Sequence, residues 1–369
     1  MQICIDATSL LLRSAGVKNY VYHWMTSLQH EAREHNVTAF PLLGKVGELN
    51  HEASVLSLWQ TLPRLALLHM VNFSWNPSME IMMSRVDVFH ASNQVRNPPK
   101  NTKLTGTLYD MTCLLMPQNH TSGNVKAEQN FADRVLSKAD GLISISDNTR
   151  VDAINLLGIN PDKIKVIYPG VVESFFQVTR TDVARVSRSY SLAKPYILFV
   201  GTVEPRKNLD TLLDAYQLLP QSLREEFEMV VVGPIGWAAG DTVRRLRSGE
   251  QGVRYLGYVP EHDLPAITGG ATVFVYPSLY EGFGFPVAQS MAAGVPIITS
   301  NVSSLPEVAG DAALLIDPRS IGELRDALVK LLTSPTLQRQ LSAAGVERAR
   351  EYTWAVTARK SADFFSNLR

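Results

Sequence analysis

Glu281 stands directly before two glycines separated by one aromatic residue, Gly282-Phe283-Gly284, within YPSLYEGFGFPVAQSMAAGVP, Tyr276 to Pro296. A β-type run from Thr272 to Tyr276 stops at Pro277, and Pro286 suits an early helical position. Val287 to Ala293 then reads as a short buried helix ended by Gly294. Strand, glycine turn and helix start together present backbone N–H groups and a positive dipole end to an anion. A carboxylate beside an anion site calls for a ligand with both phosphate and hydroxyl groups. A nucleotide sugar has both.

A second strand-turn-helix reads FVGTVEPRKNLDTLL. Its strand, Tyr196 to Val200, feeds Gly201 and Thr202, and Arg206 and Lys207 arrive just before a helix at Asn208. Adjacent cations at a helix start are repelled by its dipole. An anion is therefore expected to offset them, namely a diphosphate held between the pair and the Gly282–Gly284 turn.

Near the N-terminus, Ser14, Ala15, Gly16 and Val17 form a small-residue turn whose backbone N–H groups could also reach phosphate. Thr107-Leu108-Tyr109-Asp110 closes a strand. Asp110 there hydrogen-bonds a sugar hydroxyl, helps position an acceptor, or caps the loop that follows. His90, at another strand end, reads as a structural hydrogen-bonder.

Other chemistries lack their residues. There is no HExxH, paired CxxC, GxxxxGK[ST] or GxSxG, and no spaced Asp/His set suggests a metal. The chain is electrically neutral, with 35 basic and 35 acidic side chains and no basic block, which argues against nucleic acid. Two cysteines, Cys4 and Cys113, cannot build a disulfide framework, so a reducing, cytosolic compartment is expected. The N-terminus has no signal-peptide pattern and no segment is long enough to span a bilayer. The tryptophans of Leu58 to Trp75, Trp59 and Trp75, could seat that segment at a membrane interface; the plainer reading is a helix packed on its own domain or on an acceptor cleft, and any membrane contact is expected to be peripheral.

The elements that must position these residues alternate along the chain. A length of 369 residues with 45% apolar content calls for two globular domains. Strands are expected at Met1 to Ile5, Val37 to Leu42, Val86 to His90, Lys103 to Leu108, Gly141 to Ser144 and Lys165 to Tyr168, with helices at Tyr20 to Glu34 and Asn124 to Ala139. After a polar stretch between Gly170 and Pro195 the alternation restarts. Strands then fall at Tyr196 to Val200, Glu228 to Gly233, Val253 to Leu256, Val273 to Tyr276 and Pro296 to Thr299. Helices are expected at Asn208 to Leu218, Leu264 to Gly269, Val287 to Ala293, Ser320 to Thr333, Pro335 to Tyr352 and Trp354 to Leu368. Such alternation predicts parallel sheets covered by helices, with ligands at the carboxyl ends of the strands.

The chain resembles the retaining glycosyltransferases of family 4, the group 1 transferases with the GT-B fold. The resemblance spans nearly the full length and is strongest from Tyr196 to Pro318, where GTVEPRKNLDTLL, VVVGPIGW, YLGYVPEHDLPAI and FVYPSLYEGFGFPVAQSMAAGVPIITSNVSSLPEVAGDAALLIDP follow in the family's order. EPRKN and SSLPEVAGDAA are similar to bacterial mannosyltransferase-like members that build surface polysaccharides. The resemblance implies an α/β protein with two doubly wound Rossmann-like domains facing a central cleft. Residues 1–172 would form the acceptor-side domain, 173–194 a linker, 195–352 the nucleotide-sugar domain, and 353–369 a helix crossing back to the first domain.

Carried over by position, Lys207 with Arg206 would hold the diphosphate, and Thr202 would lie in the donor site. Tyr258 and Val259 would meet the base through their backbone, Glu281 the sugar hydroxyls, and the amides of Gly282, Phe283, Gly284 and Phe285 sugar and phosphate. Gly16 would supply the first domain's close approach, and Asp110 would complete the catalytic set with Lys207, Arg206 and Glu281. The family's second signature glutamate falls on Gln289, which would meet the ribose with a neutral, weaker hydrogen bond. Its customary histidine before aspartate is here Tyr109, beside the sugar.

The resemblance implies a retaining transfer of a hexose, mannose favoured, by front-face substitution without metal or cofactor beyond the nucleotide sugar itself. GDP-mannose is the favoured donor, ahead of UDP-sugars, and a glycan or lipid-linked acceptor in surface polysaccharide synthesis is expected. The location expected is cytoplasmic, at most peripheral on the inner face of the cytoplasmic membrane. A catalytically weak GT-B scaffold subunit, motivated by Tyr109 and Gln289, is the alternative from another class. A nucleotide-sugar epimerase ranks third.

Overall fold

The structure, a computed structural model, describes residues 1–13, 16–44, 46–49, 53–73 and 77–368. The chain forms two compact units, Met1–Gly170 with Trp354–Arg369 and Val171–Thr353.

In the first unit, β1 (Gln2–Asp6), β2 (Asn36–Phe40), β3 (Val88–Ala91), β4 (Lys103–Leu108), β5 (Gly141–Ser144) and β6 (Ile164–Val166) pair in parallel, in the order β2-β1-β3-β4-β5-β6. The strands are short and apolar because helices cover both faces of such a sheet; all four residues of β3 are buried. The chain leaves β1 toward β2, then returns to its other side with β3, so the switch point lies between β1 and β3. Buried Asp6, at the end of β1, ties the two loops there. One of its oxygens accepts from the Thr8 hydroxyl at 2.6 Å and the other from the Ser92 hydroxyl at 3.0 Å and the Val95 N–H at 3.2 Å. The helix Trp354–Ser366 packs along Gly16–Glu31, and the buried Trp24 indole donates to Ser361 Oγ at 2.9 Å.

In the second unit, β7 (Tyr196–Val200), β8 (Glu228–Val232), β9 (Val253–Gly257), β10 (Val273–Tyr276), β11 (Ile297–Ser300) and β12 (Ala313–Ile316) are again parallel, in the order β12-β11-β10-β7-β8-β9. Its switch point lies between β7 and β10.

The polar stretch expected to be a linker is folded. Arg180–Ser189 is a helix of the second unit, started by a Thr179–Asp182 capping box and buried through Val186. Arg185 and the Tyr190 hydroxyl both reach Asp263, at 2.7 and 3.0 Å. The helices Asp147–Leu157 and Gly240–Ser248 and the strand β12 are further elements beyond those expected. Leu58–Val71 is a helix, whereas Trp75 and the turn residues Ser14 and Ala15 lie outside the described residues. Among the described residues no helix is long and apolar enough to cross a membrane.

Candidate active site

The loops after β7 and β10 meet at the carboxyl edge of the second sheet. After β7 the chain makes a short 3-10 turn, Pro205–Lys207, and Asn208 takes the left-handed conformation (φ 58°) before the helix Leu209–Gln217. Asn208 then clamps the neighbouring loops, donating to the carbonyls of Pro277 at 3.0 Å and Pro318 at 2.6 Å. The Arg206 carbonyl accepts from the Leu279 N–H at 2.8 Å and the Ser278 hydroxyl at 3.1 Å. Two segments more than sixty residues apart are thereby locked side by side.

Buried Glu281 is the hub. Its Oε1 accepts from Lys207 Nζ at 2.6 Å, the Ser278 hydroxyl at 2.6 Å and the Tyr276 hydroxyl at 3.0 Å. Its Oε2 accepts from Arg206 at 3.0 Å, and Arg206 also donates to Glu204 at 2.8 Å and to the Tyr280 carbonyl at 2.7 Å. Lys207 donates to the Tyr276 hydroxyl at 2.7 Å. Burial pushes the Glu281 carboxyl up, but the Arg206 and Lys207 charges and the Lys207 and Ser278 hydrogen bonds outweigh it and hold the group at about 2. Burial lowers the Lys207 ammonium, with the Glu281 carboxylate opposing that shift. Tyr276 is raised well above its ordinary value, first by burial and then by Glu281, so it stays a protonated donor.

This geometry corrects one expectation. The anions that offset Arg206 and Lys207 are two internal carboxylates, Glu204 and Glu281. They hold the cations in place before any ligand arrives. Glu281 Oε1 is filled by three donors, so only Oε2 retains capacity for a sugar hydroxyl. Among the described residues Lys207 spends two of its three N–H donors and keeps one.

The glycine turn follows directly. Glu281 is fixed at both backbone groups, its N–H donating to Ser303 Oγ at 3.0 Å and its carbonyl accepting from Ser304 Oγ at 2.9 Å. Gly284 has φ 96°, and a Cβ there would lie 2.7 Å from Leu305 Cδ2, so glycine is required to enter the helix Phe285–Ala292. Phe283 is buried edge-on against Phe285 and Tyr352, while Gln289, one turn on, is half-buried. Half-buried Thr202 follows β7. After β9 come Tyr258, 52% exposed, and buried Val259. Seven of the expected donor residues thus cluster on the β7 and β10 loops with their glycine turn, and Tyr258 and Val259 lie on the β9 side of the same edge.

In the first unit the expected residues are more modest. Asp110 Oδ1 accepts from the Thr112 N–H at 2.9 Å and the Thr112 hydroxyl at 2.5 Å, capping its own loop. Tyr109 packs edge-on against Tyr20. Gly16 starts its helix with nothing within 4 Å of a notional Cβ, so the surrounding fold does not require glycine there. Buried His90 is held through both ring nitrogens, by Thr105 at 2.9 Å and Thr107 at 2.8 Å, and burial lowers it to about 3. It is a neutral structural hydrogen-bonder. Sequence reasoning missed Glu204, Tyr276, Ser278 and Asp6. Only Glu204, two residues before Arg206, had a signal in its spacing.

Residues 184–348 match the family model described as Glycosyl transferases group 1, and residues 14–175 that described as Glycosyltransferase Family 4. The O-antigen chain mannosyltransferase B of Escherichia coli is 33% identical over 270 residues, covering 72% of this chain and 71% of that protein. The serotype-specific mannosyltransferase WbdA of Escherichia coli is 30% identical over 237 residues, 63% of this chain but 29% of that longer protein. The solved structure of Anabaena HepE in complex with UDP and glucose aligns with a TM-score of 0.73 at 17% identity, over 100% of this chain and 99% of that one. That likeness places the α/β architecture in the GT-B class. The chain is a hexosyltransferase and belongs to the group 1, family 4 glycosyltransferases.

Proposed function

We propose that the protein transfers mannose from a nucleotide-diphosphate sugar, GDP-mannose in the first place, to a hydroxyl of a glycan or lipid-linked acceptor with retention of configuration. The observation that carries the donor class is Lys207: a buried ammonium with one donor in hand, beside Arg206, at the switch point where α/β sheets bind ligands. Mannose is supported by the relatives named as mannosyltransferases, and a nucleotide donor by the UDP complex of HepE.

In this reaction the acceptor oxygen bonds the anomeric carbon on the face from which the diphosphate departs. The carbon–oxygen bond to the diphosphate breaks, and the acceptor proton passes to the departing phosphate oxygen. Lys207 and Arg206, already held by Glu281 and Glu204, stabilise the leaving charge without reorganising. The amides of Phe283, Gly284 and Phe285 line sugar and phosphate, Gln289 and Thr202 the nucleoside side, and Tyr258 and Val259 the base. No metal is invoked: the remaining Lys207 N–H, the Arg206 guanidinium and the turn amides together meet the leaving oxygens.

The test is turnover of GDP-mannose and UDP-glucose on a mannosyl acceptor, with the product's anomeric configuration read by NMR. GDP-mannose is expected to be the preferred donor and its α-configuration to be kept. A β-linked product overturns retention, and a preference for UDP-glucose overturns the donor assignment.

A further inference from the structure

Trp237 closes the segment VVVGPIGW, in the loop after β8. In the sheet, β8 lies between β7, which feeds the Lys207 loop, and β9, which feeds Tyr258 and Val259. Gly233 ties the three strand ends together. It packs against the Gly201 carbonyl after β7, and its N–H donates to the Gly257 carbonyl of β9 at 2.8 Å. Its own carbonyl accepts from the Tyr255 hydroxyl at 2.8 Å.

Strand-like pairing then continues beyond the sheet edge. The Val203 N–H donates to the Pro234 carbonyl at 2.9 Å and the Gly236 N–H to the Val203 carbonyl at 3.0 Å, with Val203 and Ile235 in a parallel bridge. A Cβ at Gly236 would lie 2.7 Å from Thr202 Cγ2, 3.0 Å from the Val203 carbonyl oxygen and 3.4 Å from Glu204 Cβ, so a larger residue would push the two loops apart. Glu204 in turn accepts from Arg206 at 2.8 Å. Trp237 therefore stands one residue beyond the point where its loop meets the carboxylate that holds Arg206.

Placed there, Trp237 is 46% exposed. The residue after it, Ala238, takes the left-handed conformation (φ 51°), which alanine rarely adopts, before the helix Gly240–Ser248 begins. A single exposed aromatic is ordinary. Backbone strain kept directly behind one, at the ligand-binding edge of a parallel sheet, marks a functional position. The indole has no charge and no acceptor, and phosphates and sugar hydroxyls are met by the polar groups of the neighbouring loops. It offers a flat apolar face, and the flat group of a nucleotide sugar is its base.

We propose that Trp237 stacks on the base of the donor nucleotide and, through its two-ring face, favours a purine over a pyrimidine. This rests on the nucleotide-donor reading above and adds the residue that reads the base. The full chain, Trp237→Ala and Trp237→Phe are titrated calorimetrically with GDP, UDP and inorganic pyrophosphate, the last being the diphosphate without sugar or base. Trp237→Ala is expected to bind GDP about tenfold more weakly, within the range for loss of a base–aromatic stack, and UDP to weaken less. Pyrophosphate affinity is expected to stay at the wild-type value, which also reports an intact Lys207 loop. Trp237→Phe is expected to recover most of the GDP affinity, because a flat ring is restored. Unchanged GDP binding by Trp237→Ala, or no recovery in Trp237→Phe, overturns the stack. A pyrophosphate loss as large as the GDP loss also overturns it, and makes Trp237 a support of the Glu204–Lys207 loop. Equal losses of GDP and UDP overturn the purine preference. A wild-type protein that binds pyrophosphate but neither nucleotide overturns the donor reading and the stack together, whereas the variant results, with wild-type nucleotide binding intact, count against the stack alone.

Discussion

Lys207 and Glu281 set each other's charge. Burial lowers the Lys207 ammonium and the Glu281 carboxylate opposes that shift. Glu281→Gln removes the opposing charge and keeps the shape. The alkaline limb of the kcat/KM–pH profile is therefore expected to move to lower pH, and an unmoved limb would show that another group titrates. Glu281 itself falls from an ordinary 4.5 to about 2 in the folded protein. Its contribution to stability is thus fully present above pH 4.5 and lost as the pH drops through about 2. His90 has the same sign in a higher window, with a folded value of about 3 against 6.5. Stability tied to it is complete above pH 6.5 and declines toward pH 3, because the unfolded chain takes up a proton that the buried ring refuses. His90→Gln should flatten the urea midpoint between those pH values; an equally steep decline would place the acid sensitivity elsewhere. At this scale the sequence made Arg206, Lys207 and Glu281 legible, because charge beside glycine and helix starts is a local pattern. Tyr276 and Ser278 were hidden in an apolar strand and a loop, since their roles exist only once two distant loops lie side by side. Asp110 offered two readings, and the Thr112 hydrogen bonds show the capping one.

The β7 and β10 loops depend on glycines where backbones nearly touch. Gly233, after β8, has φ 138°, and a Cβ there would fall 2.0 Å from the Gly201 carbonyl oxygen at the start of the Lys207 loop. Gly233→Ala is expected to cost about 1–3 kcal/mol in chemical denaturation, from backbone strain alone. It should also raise the donor KM by displacing that loop. Unchanged stability and KM together would mean that the loop tolerates the shift. Most strands were legible from short apolar runs between turn residues. The helix Arg180–Ser189 was not, because its sequence is polar on nearly every side. What fixes it is a capping box and the Arg185–Asp263 contact, and only the first of these is local. The exposed face of Leu58–Val71 shows the reverse case. Its apolar residues read as a packing face, whereas several of them point to solvent.

At the scale of the molecule, each unit has one switch point, and the two are furnished differently. The first holds Asp6, a carboxylate consumed by the loops it joins. The second holds two cations and two carboxylates, with one Lys207 donor still to be used. That asymmetry supports the diphosphate site proposed on the second unit. The most direct measurement is calorimetric titration of GDP and GDP-mannose into the wild-type protein and into Lys207→Ala. The account expects saturable binding of both ligands by the wild type. It expects both to weaken at least about tenfold in the variant, the cost of removing one hydrogen bond to a charged group. Equal affinities in the two proteins, or no nucleotide binding by the wild type, would contradict it.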